Sequence, residues 1–164
     1  MAAKLSVYLD TSALNFLFAE DAPEKKEITL DFFENFLKPG VYSPFISDFV
    51  LQEINQATDP EKRAKLLGVI RDYYIELLAL SNIAEIELLA GNYLREGVVP
   101  ANKILDALHI ATAVAHKIDY LVSWNYKHLA NVNREKKVIS VNIANNYLKP
   151  IRIITPIELI DYGK

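Results

Sequence analysis

The sequence predicts one three-layer α/β domain, with a mostly parallel central sheet, helices on both faces and an inserted helical hairpin near residues 60–96. Three observations predict it. Short apolar runs at 4–9, 41–45 and 120–123 alternate with segments of helical periodicity. The 164 residues suit a single domain and can bury a proper core. Polar clusters follow the first and third of these runs, at Asp10 and Asn125, and strand carboxyl ends are where open α/β sheets keep their chemistry.

Each element has a local reason. Residues 4–9 read as a buried strand, followed by a helix over 12–19 with Ser12 as its N-cap. Pro23 and Pro39-Gly40 bracket a longer helix, in which Ile28, Phe32, Phe33, Phe36 and Leu37 recur at helical spacing. Residues 41–45 form a strand, and Ser47 or Asp48 caps the helix carrying Phe49, Val50, Leu51, Glu53 and Ile54. Asp59-Pro60-Glu61 starts a helix expected to reach about Leu78, with Leu66, Leu67, Ile70, Tyr74 and Leu77 on one face.

Another helix runs from about Asn82 to Arg95 and stops at Gly97. Pro100 and Asn102 precede an apolar helix containing Ile104, Leu108, Ala111 and Ala115. Strands are expected at 120–123, 138–141 and 152–154, with a short helix at 127–131 that Asn125 could cap. No repeat, linker or low-complexity tract interrupts the chain.

Composition narrows the chemistry. The chain is 51% hydrophobic and 24% charged, as in soluble globular proteins. It has no cysteine, so disulfides, thiolate metal sites and Cys nucleophiles are excluded. There is no signal peptide and no apolar stretch near the ~20 residues of a membrane span, so the expectation is a cytoplasmic protein without membrane contact. The net charge of −3 argues against broad non-specific nucleic-acid binding. It is compatible with a nuclease whose carboxylates hold metal ions.

Four residues stand out. Asp10 ends the first strand. Glu53 lies one to two turns into the helix after the second strand, and at ~1.5 Å per residue it can reach back to the same sheet edge. Asp106 interrupts the apolar run 104–113, where an unpaired charge costs several kcal/mol and so needs a cation or hydrogen bonds. Asn125, with Ser123, ends the Tyr120 strand and offers an amide and a hydroxyl to a metal-bound water or a phosphate.

Two neighbours are set aside. His109 shares a helix face with Asp106 and reads as a core histidine bonded to Asp106 or to backbone, because oxygen-rich surroundings favour Mg²⁺ or Mn²⁺ without imidazole. Asp119 begins the strand that Asn125 ends, roughly 20 Å away at ~3.3 Å per residue, and belongs to the opposite edge.

The segments VYLDTSALNFLF, SDFVLQEI and KILDALHIATAVAHKIDYLVSWNYKHLAN, in that order, resemble PIN-domain nucleases, especially the bacterial VapC-type group. The resemblance covers essentially the whole chain and implies a PIN-like fold. It also implies that Asp10, Glu53 and Asp106 hold Mg²⁺ or Mn²⁺ and, with Asn125, form the catalytic set. Ser12 and Ser123 would assist the metal or the phosphate, and Lys127 would touch the RNA backbone. Many members carry Asp at the fourth place. Asn125 removes that charge and weighs against tight binding of a second metal.

The implied activity is a metal-dependent endoribonuclease acting on single-stranded RNA. In toxin members a co-encoded protein antitoxin blocks the site, and homodimers are common. The alternative is a non-catalytic RNA- or protein-binding PIN domain. A haloacid-dehalogenase-type phosphatase also begins strand–Asp, but it needs a second Asp where this chain has Ser12.

Overall fold

A computed structural model describes residues 4–125 and 129–162. Strand β1 (Leu5–Leu9) leads into helix α1 (Thr11–Asn15) and a 3₁₀ turn. Helix α2 (Pro23–Phe32) continues through a π turn to Leu37. Then come β2 (Tyr42–Ile46), α3 (Asp48–Asn55), α4 (Pro60–Asp72) and β3 (Glu76–Leu77). Helices α5 (Ile83–Arg95) and α6 (Ile104–Ala115) lead to β4 (Tyr120–Val122). The chain closes with α7 (Val132–Ala144), β5 (Arg152–Ile154) and α8 (Pro156–Tyr162).

All five strands are parallel, in the order β3-β2-β1-β4-β5. From β1 the chain moves outward through β2 to β3, then crosses back to β4 and on to β5. Right-handed crossovers therefore put α1–α4 on one face and α5–α7 on the other. The packing agrees: α3 and α4 contact α1, whereas α6 and α7 contact α5. Successive residues Val7, Tyr8 and Leu9 are all buried, as a strand covered on both faces requires. The strand order reverses between β1 and β4, so their carboxyl ends flank the crevice where such sheets bind ligands.

The sequence-based reading differs from this fold in a few places. Ser12 is not the N-cap of α1; the cap is Asp10, whose carboxylate accepts from the Ala13 amide. The insertion near 60–96 has both helices but also places edge strand β3 between them. Helix α4 ends at Asp72 because Tyr74 adopts φ 53°, and the Ile75 amide bonds back to the Ile70 carbonyl. Leu66 and Val69 form its buried face, while Tyr74 and Leu77 lie exposed.

The strand expected at 138–141 is part of α7. Burial there recurs at Val138 and Asn142, a helical spacing that overrides the β-branched composition. Asn131, expected inside a short helix, caps α7 through the Arg134 amide. By contrast, α5 stops at Gly97 as expected: Gly97 has φ 67°, and the Val98 amide closes on the Tyr93 carbonyl. Among the described residues no helix is long and apolar enough to cross a membrane.

Candidate active site

Asp10 follows β1 directly, and its amide donates to the Val122 carbonyl, which extends the β1–β4 pairing by one step. The backbone then turns into α1, so the carboxylate both caps the helix and faces the crevice. Oδ1 accepts from Ser12 Oγ (2.6 Å) and from the Ala13 amide (3.1 Å). Oδ2 accepts from Ser123 Oγ (2.5 Å). Both hydroxyls are fixed in turn: Ser12 Oγ accepts from the Trp124 amide (2.9 Å) and Ser123 Oγ from the Asn125 amide (3.0 Å). Two strand ends are thereby stitched through one carboxylate.

Asp10 is 5% exposed. Burial pushes its pKa up, against the opposing pull of His109, Ser12, Ser123 and the Ala13 amide. Its partners among the described residues are hydroxyls and an amide, with no lysine or arginine. A buried carboxylate so placed is suited to a hard cation.

Glu53 reaches this edge from α3, which begins immediately after β2 because Ser47 Oγ caps it at the Phe49 amide. Glu53 Oε1 accepts from Thr11 Oγ1 (2.9 Å) and pairs with His109 Nε2 (2.6 Å). Burial pushes the Glu53 pKa up, but the hydrogen bonds and charge of His109 and the Thr11 hydroxyl outweigh it, leaving it below the usual carboxylate value.

Asp106 occupies the first turn of α6, half-buried. Since α6 runs down to the start of β4, its first turn lies at the carboxyl edge of the sheet. Asn125 is half-buried, and its carbonyl accepts from the Leu129 and Ala130 amides. Lys127 lies outside the described residues. Asp119 sits at the opposite edge, where Ser6 and Lys149 hold it.

Direct hydrogen bonds thus join Asp10, Ser12 and Ser123, and Thr11 links this group to Glu53. Asp106 and Asn125 stand on adjoining elements. Among the described residues, no group of three or more acidic or histidine side chains forms a candidate metal cage. The donor set is nonetheless all oxygen, and it fits an ion that Mg²⁺-like chemistry holds through one or two carboxylates and several waters.

His109 is the residue whose role changes most. It is a satisfied core histidine, 2% exposed, but its partners are Glu53 and Tyr8 rather than Asp106 or backbone. Thr11, Tyr8 and Ser47 gave no signal as site neighbours in the sequence. One surface cleft of about 430 Å³, lined by Asn15, Phe16, Phe18, Asp59, Lys62 and Lys65, includes none of Asp10, Glu53, Asp106 and Asn125.

A family model of the PIN domain matches residues 7–135. Among solved structures, the crystal structure of VapBC2 from Rickettsia felis bound to a DNA fragment from their promoter is similar. It shares 14% identity at a TM-score of 0.54, over 92% of this chain and 98% of that one. At that identity the likeness speaks to the fold. No curated protein sequence matches the chain significantly.

Proposed function

This chain belongs to the PIN domain family, and from that premise we propose that it is a metal-dependent endoribonuclease that hydrolyses phosphodiester bonds of single-stranded RNA. The observation that carries the reading is the buried Asp10 carboxylate at the β1–β4 crevice, tied to Ser12 and Ser123 and free of any ion pair with lysine or arginine among the described residues.

On this reading Asp10, Glu53 and Asp106 would hold Mg²⁺ or Mn²⁺. When bound, the ion supplies Lewis-acid polarisation of the scissile phosphate and lowers the pKa of a bound water. The chain's own residues do the rest. Ser12 and Ser123 fix the Asp10 carboxylate so that it need not reorganise when charge develops. The Asn125 amide orients a water or a phosphate oxygen without adding a fourth negative charge. Lys127 offers a cation to the RNA backbone.

The resemblance of this chain's motifs to the VapC-type group supports assignment as the toxin of a toxin–antitoxin pair, with a protein antitoxin as partner and a homodimer as the assembled state. Cleavage of defined single-stranded RNAs with Mg²⁺ or Mn²⁺ tests the activity. It should vanish in EDTA and in Asp10→Asn, and persistence in either would overturn the reading.

A second reading, a non-catalytic RNA- or protein-binding PIN domain, draws support from Asn125 and from the lack of a three-ligand cage among the described residues. Calorimetry separates the two. Mn²⁺ binding at neutral pH belongs to the nuclease, and its absence to the binding domain.

A further inference from the structure

Behind Glu53 a chain of hydrogen bonds runs through the core of the domain. Glu53 Oε1 meets His109 Nε2 at 2.6 Å, His109 Nδ1 meets the Tyr8 hydroxyl at 2.6 Å, and that hydroxyl meets Ser47 Oγ at 2.6 Å. Ser47 Oγ also accepts from the Phe49 amide, at the start of the helix that carries Glu53. Tyr8 and Ser47 are 0% exposed and His109 is 2% exposed, so water cannot complete a missing bond. The chain links α3, β1 and α6, and closes back on α3.

Counting hydrogens sets its direction. An ionised Glu53 can only accept, so His109 Nε2 carries the proton it donates. In a neutral ring Nδ1 then accepts, and the Tyr8 O–H donates to it. The Tyr8 oxygen in turn accepts from the Ser47 hydroxyl. Every hydrogen in the chain has an acceptor.

We infer that Ser47, Tyr8 and His109 form a positioning relay that holds the Nε2–H of His109 against Glu53 Oε1, leaving Oε2 as the oxygen presented to a cation. Thr11 Oγ1 donates to the same Oε1, which strengthens this division of labour between the two oxygens. The three relay residues are positioning residues, since they act through Glu53. Their effect on a cation rests on the proposed nuclease reading. The relay itself does not.

Two measurements on the full chain test it. The first is Mn²⁺ affinity by calorimetry. The amide nitrogen of Gln can stand where Nε2 donates, whereas that of Asn stands nearer Nδ1. His109→Gln should therefore keep affinity within a few-fold, while His109→Asn weakens it about 10- to 100-fold, as loss of a ligand-orienting partner does. Tyr8→Phe, which removes one oxygen and keeps the ring, should weaken it several-fold and carries the test if His109→Asn does not fold.

In a Glu53→Gln background these losses should disappear. Equal losses with and without the Glu53 carboxylate, or none in either, overturn the positioning role. The second measurement is the ¹⁵N NMR pattern of His109. The Nε2–H tautomer is expected, and the Nδ1–H tautomer overturns the relay's direction. A wild-type protein that binds no Mn²⁺ defeats the nuclease reading and the relay's effect on metal, while the tautomer still decides the relay.

Discussion

Ser123 Oγ donates to Asp10 Oδ2 at 2.5 Å, across 113 residues of sequence, and binds the end of β4 to the end of β1. Neither residue is exposed enough for water to replace the other. Ser123→Ala should therefore cost about 1.5–3 kcal/mol, the range for hydrogen bonds to charged groups. Urea unfolding of the variant reads it, and a loss below the scatter of surface substitutions contradicts the finding.

Asp10 has two separable jobs, capping α1 and presenting a charge. Asp10→Asn keeps an acceptor for the Ala13 amide but removes the charge, so the proposed nuclease activity should fall to background while the cap survives. Asp10→Ala removes both, and should lose about a further 1 kcal/mol of stability. Comparing the two melting curves isolates the cap.

Asp119 makes acid stability predictable. Burial alone would raise its pKa, but the Ser6 amide, the Lys149 ammonium and the Ser6 hydroxyl hold it below the usual carboxylate value. A folded pKa below the unfolded one means stabilisation that is complete above the unfolded pKa, ~3.9, and lost as pH falls through the folded value. Wild type should exceed Asp119→Asn by about 1 kcal/mol near neutrality. That gap should close below roughly pH 3. A gap that widens in acid would reverse the sign argued here.

Trp124 is the single tryptophan, and its indole N–H donates to Thr29 Oγ1 at 2.9 Å. Thr29→Val leaves that donor facing a methyl group and should cost about 1–3 kcal/mol. Thr29→Ser should recover most of it. Fluorescence-detected unfolding follows both variants with the probe already in place.

Helix ends show how much of the fold was legible. Helices α4, α5, α6 and α7 all finish with a left-handed residue, at Tyr74, Gly97, Lys117 and Asn146, followed by an amide that bonds back to the helix. Only α5 advertises this with glycine, which adopts the conformation at little cost. Tyr74 accepts roughly 1 kcal/mol of backbone strain there, and nothing in its side chain announces it. The helical pattern of the sequence therefore runs on past Asp72, through an edge strand too short to declare itself.

The site divides along the same line. Asp10, Glu53 and Asn125 were legible because strand ends and early helix turns are local features, encoded by apolar runs and caps within a few residues. Asp106 was legible as a charge in an apolar helix. The sequence by itself determined the α/β class, the sheet edge where the candidate residues gather and the place of Asp119 at the opposite edge. Only the tertiary structure decided that His109 serves Glu53, that Tyr8 and Ser47 stand behind it, and that Ser12 and Ser123 share one carboxylate. Those partners lie 39 to 113 residues apart along the chain, except Ser12 and Asp10, which have only Thr11 between them. Hydrogen bonds act over about 3 Å of space, and only the folding of the sheet brings such residues within that reach.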